Sequence, residues 1–363
     1  MDKIKIIVVD DSAFMRKAIS DMIESEEGFE VVAKFRDGRE LIEKVDKYDP
    51  DLITLDVQMK DLDGLSTLKQ LKRLGKSYPV IMLSSATTEG SEITLECLDN
   101  GAISFVTKPS GSISLDIIKV QKNLIEQIKS ITNSAKIKLA TSKTRNNMIY
   151  ETSYKNIDKE IYIRKEVSID IPKNKKIDSV VIGASTGGPK ALQEVLTKLP
   201  ANLGVPVFVV QHMPEGFTKV FSERLNKSCN MRVVEADEGM KICKDTIYIA
   251  KGGRHMIVGT NNLIHLNQEP TIWGVRPAVD KLFNSATTVY GGNLLSVILT
   301  GMGKDGADGT KNIKDNGGIT ISEDKSTCTI YGMPKAAFET GKVDFVVPLD
   351  QIANKIIQIT KGV

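Results

Sequence analysis

The chain has 363 residues, of which 26% are charged and 41% hydrophobic, and a net charge of +3. This length exceeds what one hydrophobic core ordinarily supports, so two domains are expected. The composition is that of a soluble globular protein, too polar for a membrane-embedded one, and the net charge does not by itself point to nucleic acid.

The opening, MDKIKIIVVDDSAF, enters a short strand with two aspartates where a signal peptide would need a long apolar region. No run of about 18 apolar residues follows anywhere, so a cytoplasmic address without membrane insertion is expected. From residue 4 to about 135, short β-branched runs (IKIIVV, FEVVAKF, DLITLDV, PVIMLSS, SFVTKP) alternate with amphipathic stretches (Met15, Ala18, Ile19 and Met22 at helical spacing, then ELIEKV, STLKQLKRL, ITLECL, LDIIKVQKNLIEQI). Five such units predict a parallel sheet with helices on both faces, a doubly wound α/β fold. Residues 136–176 are rich in Lys, Asn, Ser and Thr, contain no glycine and hold no period, which reads as a charged, extended linker. A second alternating region runs over 177–363, with buried-strand candidates VPVFVVQH, DTIYIA, LLSVILTG, GITISED and DFVVPL. It includes one hairpin, HMIVGTNNLIHL, whose Asn-Asn turn suits positive φ. The four cysteines, Cys97, Cys229, Cys243 and Cys328, lack CxxC pairs and nearby histidines, so buried reduced thiols are expected rather than a zinc site or a disulfide framework.

In the first region, Asp10 and Asp11 lie just past the first strand, Asp56 ends the third, Ser84 the fourth and Lys108 the fifth. Strand carboxyl ends line one crevice in such a sheet. Carboxylates converging there repel one another unless a cation binds, and hard oxygen ligands suit Mg²⁺. The lysine and the hydroxyl are what an incoming phosphoryl group needs, and Asp56 is then a nucleophile toward phosphorus. The stretches VVDDSAFMR, LDVQMKDLDG, MLSS and GAISFVTKP resemble the receiver domain of two-component response regulators over about residues 3–125, with a flavodoxin-like (βα)5 fold. The resemblance implies phosphorylation at Asp56, Mg²⁺ held by Asp11, Asp56 and the Gln58 backbone carbonyl beside Asp10, and signalling through Ser84, Phe105 and Lys108. Gln58 and Lys60 depart from the usual DVEMP, but a backbone ligand survives a side-chain change.

In the second region, GASTG fits G-x-S-x-G, where glycines let the chain turn sharply under an exposed serine, Ser185. A nucleotide-binding glycine loop is the alternative, but the lysine of a P-loop and the G-x-G-x-x-G spacing are both missing. Serine needs a base. Of the three histidines, His212 directly follows the strand VPVFVVQ, whereas His255 and His265 sit in the hairpin and read as structural or surface residues. SVILTGMGKDGADG offers Asp305 and Asp308 as the acid that orients the imidazole, and Asp305 is nearer the strand. Backbone N–H groups at Met302 and at the turn after Ser185, at Thr186, are candidates for an oxyanion hole. Gly187, Gly188 and Pro189 read as the start of a helix whose free N–H groups face the reacting carbonyl.

VIGASTGGPKAL, VVQHMPEGFT, YIAKGGRHM, RPAVDKLF, ILTGMGKDGADG and TCTIYGMPKAA, spread over about residues 178–360, resemble the catalytic domain of chemotaxis protein-glutamate methylesterases, the CheB family. The resemblance implies a receiver domain over 1–135 (core 3–122), the linker, and a methylesterase domain over 177–363. It implies Ser185 as nucleophile, His212 as base and Asp305 as orienting acid. The implied substrates are glutamate γ-methyl esters and specific glutamines on the cytoplasmic domain of transmembrane chemoreceptors, with Arg276 and Thr186 as nearby polar contacts. A chemotaxis histidine kinase is the expected phosphodonor, Mg²⁺ the receiver's cofactor, and the esterase reaction needs none. A monomer without nucleic-acid partners is expected, since a DNA-binding regulator would need a helix-turn-helix where strands and glycine loops stand. Lys251 occupies a position where the family has proline, and the linker is longer than usual.

Overall fold

The computed structural model describes residues 3–85, 87–109, 114–147 and 175–362. Its first half runs β1 (Ile4–Val9), α1 (Ala13–Glu24), β2 (Phe29–Phe35), α2 (Gly38–Tyr48), β3 (Leu52–Asp56), α3 (Gly64–Arg73), β4 (Val80–Ser84), α4 (Thr88–Asp99), β5 (Ser104–Thr107) and α5 (Ser114–Asn147). The five strands pair in parallel in the order β2-β1-β3-β4-β5. Every residue of β3 and β4 is buried, as strands covered by helices on both faces must be. The first four helices are capped by their own flanking side chains: Ser12, Asp37, Asp63 and Thr87 accept the N–H groups of Met15, Glu40, Ser66 and Gly90. Each such cap contributes about 1 kcal/mol.

The fifth helix differs from the sequence expectation. It continues to Asn147, so residues 136–147 of the segment read as an extended linker are helical. This stretch, KIKLATSKTRNN, has neither glycine nor proline to stop a helix and carries several good helix formers. The rest of the expected linker, 148–174, lies outside the described residues.

The second half runs β6 (Ser179–Ala184), α6 (Gly188–Leu196), β7 (Val207–Gln211), α7 (Phe217–Ser228), β8 (Arg232–Glu235), β9 (Thr246–Ile249), β10 (His255–Val258), β11 (Ile264–Asn267), α8 (Val279–Tyr290), β12 (Leu294–Ile298), α9 (Ala307–Asp315), β13 (Ile319–Glu323), α10 (Met333–Glu339), β14 (Phe345–Val347) and α11 (Leu349–Lys361). Seven strands form a sheet in the order β14-β13-β12-β6-β7-β9-β8, every neighbouring pair parallel. The expected hairpin is β10 with β11, antiparallel, with Asn262 at φ 62°. The chain leaves β6 for β7 on one side and returns to β12 on the other. The crevice beyond the carboxyl end of β6 is therefore the topological switch point, where such sheets bind ligands. In contrast to the first half, none of the residues flanking the N-termini of α6 to α11 caps its own helix with a side chain.

The two halves share packed surface. Phe105 of β5 stacks on Phe217 of α7, with ring centroids 4.6 Å apart and planes 14° from parallel. Ile330, from the loop before α10, belongs to the same apolar cluster as Val106, Leu124, Ile128 and Ile131 of the first half, with Met302 packed against it. Arg224 of α7 pairs with Asp99 of α4 and donates to the Glu92 carbonyl. Cys97 and Cys328 are buried and in no disulfide, as expected, and Cys229 is partly buried. Cys243 is exposed, because it lies on the turn before β9 rather than in an element. Among the described residues, no helix is long and apolar enough to cross a membrane.

Candidate active site

Two groups of polar side chains stand at strand carboxyl ends, one on each sheet. On the first, carboxylate oxygens of Asp10, Asp11 and Asp56 all lie within 4.8 Å of one another. Lys108 Nζ bridges Asp10 Oδ2 at 2.7 Å and Asp56 Oδ2 at 2.6 Å. Burial pushes the Asp56 carboxyl up to about 6; the Lys108 charge opposes this and Asp10 adds to it. Lys108 is held above its ordinary value: burial works against its charge, but Asp56 and Asp10 outweigh it. The Gln58 N–H donates to Asp56 Oδ1 at 3.2 Å. Ser84 is buried beside this cluster, but its hydroxyl faces α4, accepting from Thr94 Oγ1 at 2.6 Å. Phe105 lies three residues before Lys108 and points at the second half instead.

On the second sheet, Ser185 starts the turn from β6 into α6. The Ser185 N–H donates to the Thr300 carbonyl at 3.0 Å, and its carbonyl accepts from Gly188 N–H at 2.7 Å and Gln211 Nε2 at 3.0 Å. The turn needs Gly187, which sits at φ 79° with the Thr329 side chain only 2.5 Å from where a Cβ would be. His212 follows β7 on the neighbouring strand, and its N–H donates to the Ala184 carbonyl at 3.1 Å. His212 Nε2 lies 2.8 Å from Asp305 Oδ2. Asp305 is itself fixed: Oδ2 accepts the Val279 N–H at 2.6 Å and Oδ1 the Asp280 N–H at 2.9 Å, the first turn of α8. Burial alone would push the Asp305 carboxyl up, but the bond and charge of His212 and the two helix N–H groups hold it below the ordinary carboxylate value.

Among the described residues, Ser185 Oγ and His212 Nδ1 have no hydrogen bond, and the N–H groups of Thr186 and Met302 donate to no protein acceptor. The expectation of several free N–H groups at the start of α6 narrows accordingly, since Gly188 N–H is taken by Ser185 and Pro189 has none. Asp308 is exposed in the first turn of α9 and does not meet His212. Arg276 turns back into its own loop, donating to the carbonyls of Gln268 and Glu269 at 2.9 Å each. Lys251 faces Asp237 at the surface, 3.4 Å away.

Several residues around the site escaped sequence reading. Glu323, fully buried at the end of β13, accepts the Thr300 N–H at 2.7 Å, and Thr300 Oγ1 donates to the Thr186 carbonyl at 3.0 Å. His255, expected as a structural or surface residue, is fully buried: it lies 3.1 Å by Nε2 from the Pro270 carbonyl and accepts the Ala278 N–H at Nδ1. It thereby holds the segment that delivers α8 to Asp305. Asp280 accepts the N–H groups of Gly306 and Gly309 at 3.0 and 2.8 Å. The only sequence signal for these was polarity inside otherwise apolar runs, such as the glutamate in GITISED.

Comparison with known proteins shows the family. The family model for CheB methylesterase matches residues 180–356, and that for the response regulator receiver domain matches residues 6–117. A protein-glutamate methylesterase/protein-glutamine glutaminase of Clostridium acetobutylicum is 48% identical over 365 residues, covering 100% of this chain and 99% of the relative. A protein of the same name from Methanococcus maripaludis is 41% identical over 367 residues, covering 100% of both. One from Pyrococcus abyssi is 42% identical, covering 98% of this chain and 93% of the relative. With two parallel-sheet domains in this order and relatives matched end to end, the chain belongs to the CheB methylesterase family, a receiver domain preceding a methylesterase domain.

Proposed function

We propose that the chain is a phosphorylation-controlled serine hydrolase that converts glutamate γ-methyl esters, and specific glutamines, to glutamate on the cytoplasmic segments of chemoreceptors. The observation that carries this reading is the His212–Asp305 bond of 2.8 Å, with Asp305 locked by two helix N–H groups, beside a serine at the switch point. With Nε2 held by Asp305, Nδ1 of His212 takes the Ser185 proton as Oγ attacks the ester carbonyl. The Thr186 and Met302 N–H groups receive the oxyanion, an effect worth roughly 10²–10³ in rate per donor. The tetrahedral species collapses, the C–O bond to methoxide breaks, and His212 returns the proton to give methanol. Water, deprotonated by His212, then attacks the acyl-enzyme and releases glutamate. With glutamine the same steps expel ammonia.

Control comes from Asp56, which attacks the phosphorus of a phosphohistidine on a chemotaxis kinase. The oxygen donors of Asp10, Asp11 and Asp56 and the Gln58 carbonyl fit Mg²⁺, which would neutralise charge on the transferring phosphoryl group. Lys108 shares that role. Phe105, on the strand that ends just before Lys108, rests on Phe217, five residues past His212. Phosphorylation shifts the balance from this packed arrangement toward an open one, and a difference of a few kcal/mol suffices.

The test is methanol release from methyl-labelled receptor membranes by the full chain. Ser185→Ala should abolish it, and release at the native rate overturns the nucleophile assignment. A small phosphodonor should accelerate the native protein but not Asp56→Asn; equal acceleration of both overturns the control.

A further inference from the structure

Neither α8 nor α9 caps its own N-terminus, since the flanking residues Ala278 and Gly306 have no side chain that can accept. Instead each helix is capped by an aspartate belonging to the other. Asp305, next to Gly306, crosses to α8 and accepts the N–H groups of Val279 and Asp280. Asp280 crosses back to α9 and accepts those of Gly306 and Gly309. The remaining Asp280 oxygen, Oδ2, accepts the indole N–H of Trp273 at 3.1 Å, and Lys304 Nζ lies 3.7 Å above that indole ring. The loop 304–306 that carries Asp305 is thus held from both ends of one carboxylate pair.

We propose that Asp280 is a positioning residue for hydrolysis: by interlocking the first turns of α8 and α9 it fixes the orientation of the Asp305 carboxylate, and through it the His212 ring. A structural cap alone would not call for a second acid here. Burial, and then the nearby charge of Asp305, push the Asp280 carboxyl up to about 6, so a neutral Ser or Asn would cap α9 at lower cost. What the carboxylate supplies is four acceptor sites, enough to hold two glycine N–H groups and an indole N–H at once. Asparagine cannot do this, because its NH₂ must face either the glycine N–H groups or the indole N–H.

The inference rests on the reading of Ser185, His212 and Asp305 as the hydrolytic triad. The test uses the full chain, methyl-labelled receptor membranes and thermal unfolding. Asp280→Asn should lower kcat about tenfold or more with KM within about twofold. Adding Trp273→Phe removes the opposing donor from a half-exposed position and should recover at least half of the loss on a logarithmic scale. Asp344→Asn is the control. Asp344 is another buried carboxylate, accepting the Thr320 N–H at 3.0 Å away from the site, and its loss should lower the unfolding midpoint while leaving kcat near native. Native kcat in folded Asp280→Asn, failure of the double variant to recover, or an equal kcat loss in Asp344→Asn would overturn the proposal. Should Asp280→Asn not fold, Trp273→Phe alone decides: a two- to fivefold drop in kcat supports it and native kcat overturns it. A Ser185→Ala protein that still releases methanol would fail the triad reading whatever Asp280 does. An inactive Ser185→Ala beside a native-rate Asp280→Asn would fail this inference alone.

Discussion

Phe105 of the receiver and Phe217 of the methylesterase domain stack at 4.6 Å, and this contact joins the strand that ends just before Lys108 to the helix that follows His212. An aromatic pair is worth about 0.5–1.5 kcal/mol beyond its buried area, and each 1.4 kcal/mol is tenfold in an equilibrium. Phe105→Ala should therefore raise the methanol release rate of unphosphorylated protein about three- to tenfold and shrink its response to a phosphodonor. Arg224→Gln cuts only a partly exposed ion pair with Asp99, worth about 0–1 kcal/mol, and should raise it less. Basal rates measured side by side check the order; a larger effect from Arg224 would place the main restraint at α4 rather than at β5.

Asp305 and Asp308 lie three residues apart but in different surroundings. Asp305 is buried and bonded to His212, whereas Asp308 is exposed on α9. Asp305→Asn should cost roughly 10⁴ in kcat, as expected when the group that fixes the imidazole tautomer is lost. Asp308→Asn should stay within about threefold. Steady-state kinetics of the two variants check this, and the reverse ranking would reassign the acid.

The strands carried both folds in the sequence, because β-branched runs covered on both faces leave little other reading. The places of Asp56, which ends its strand, and of Ser185, His212 and Lys108, which directly follow theirs, were legible for the same reason, since a polar residue at the end of an apolar run marks the crevice. The helix through Asn147 was not, because a charged stretch without glycine satisfies a linker and a helix equally. Nor were Asp280 and Glu323, which accept backbone N–H groups more than 20 residues away. Such contacts leave no local period. The start of α9 has no such signal either, because its cap comes from α8 rather than from its own sequence.

Gly301 shows how tightly the loop before Met302 is set against Ser185, the proposed nucleophile. A Cβ there would fall 2.3 Å from Met333 Sδ and 2.9 Å from Ser185 Cβ. The methionine can swing aside, but Ser185 cannot move without changing its attack geometry, and misplacement near 1 Å costs about 10²-fold. Gly301→Ala should lower kcat about 10- to 100-fold with little change in KM, and destabilise the fold by about 1–3 kcal/mol. Native kcat in this variant would mean that the turn relaxes away from Ser185.

The two interlocked aspartates should have opposite effects on stability as pH changes. Asp280, facing Asp305, Asp308 and the indole N–H of Trp273 under Lys304, has its carboxyl pushed up to about 6 by burial and by Asp305. The unfolded value is about 3.9, so between about pH 4 and pH 6 the folded state binds more protons than the unfolded state, and stability falls as pH rises through that window. Asp305, held below its ordinary value, contributes stability that is present above about pH 3.9 and is lost only as pH falls further. Its change therefore lies below the window. The unfolding free energy of the native protein minus that of Asp280→Asn should fall by on the order of 1–3 kcal/mol between pH 4.5 and pH 7. Urea unfolding at both pH values checks the sign. A difference that stays flat would mean that the helix N–H groups keep Asp280 ionised throughout, and one that rises would mean that its charge is stabilised by the fold.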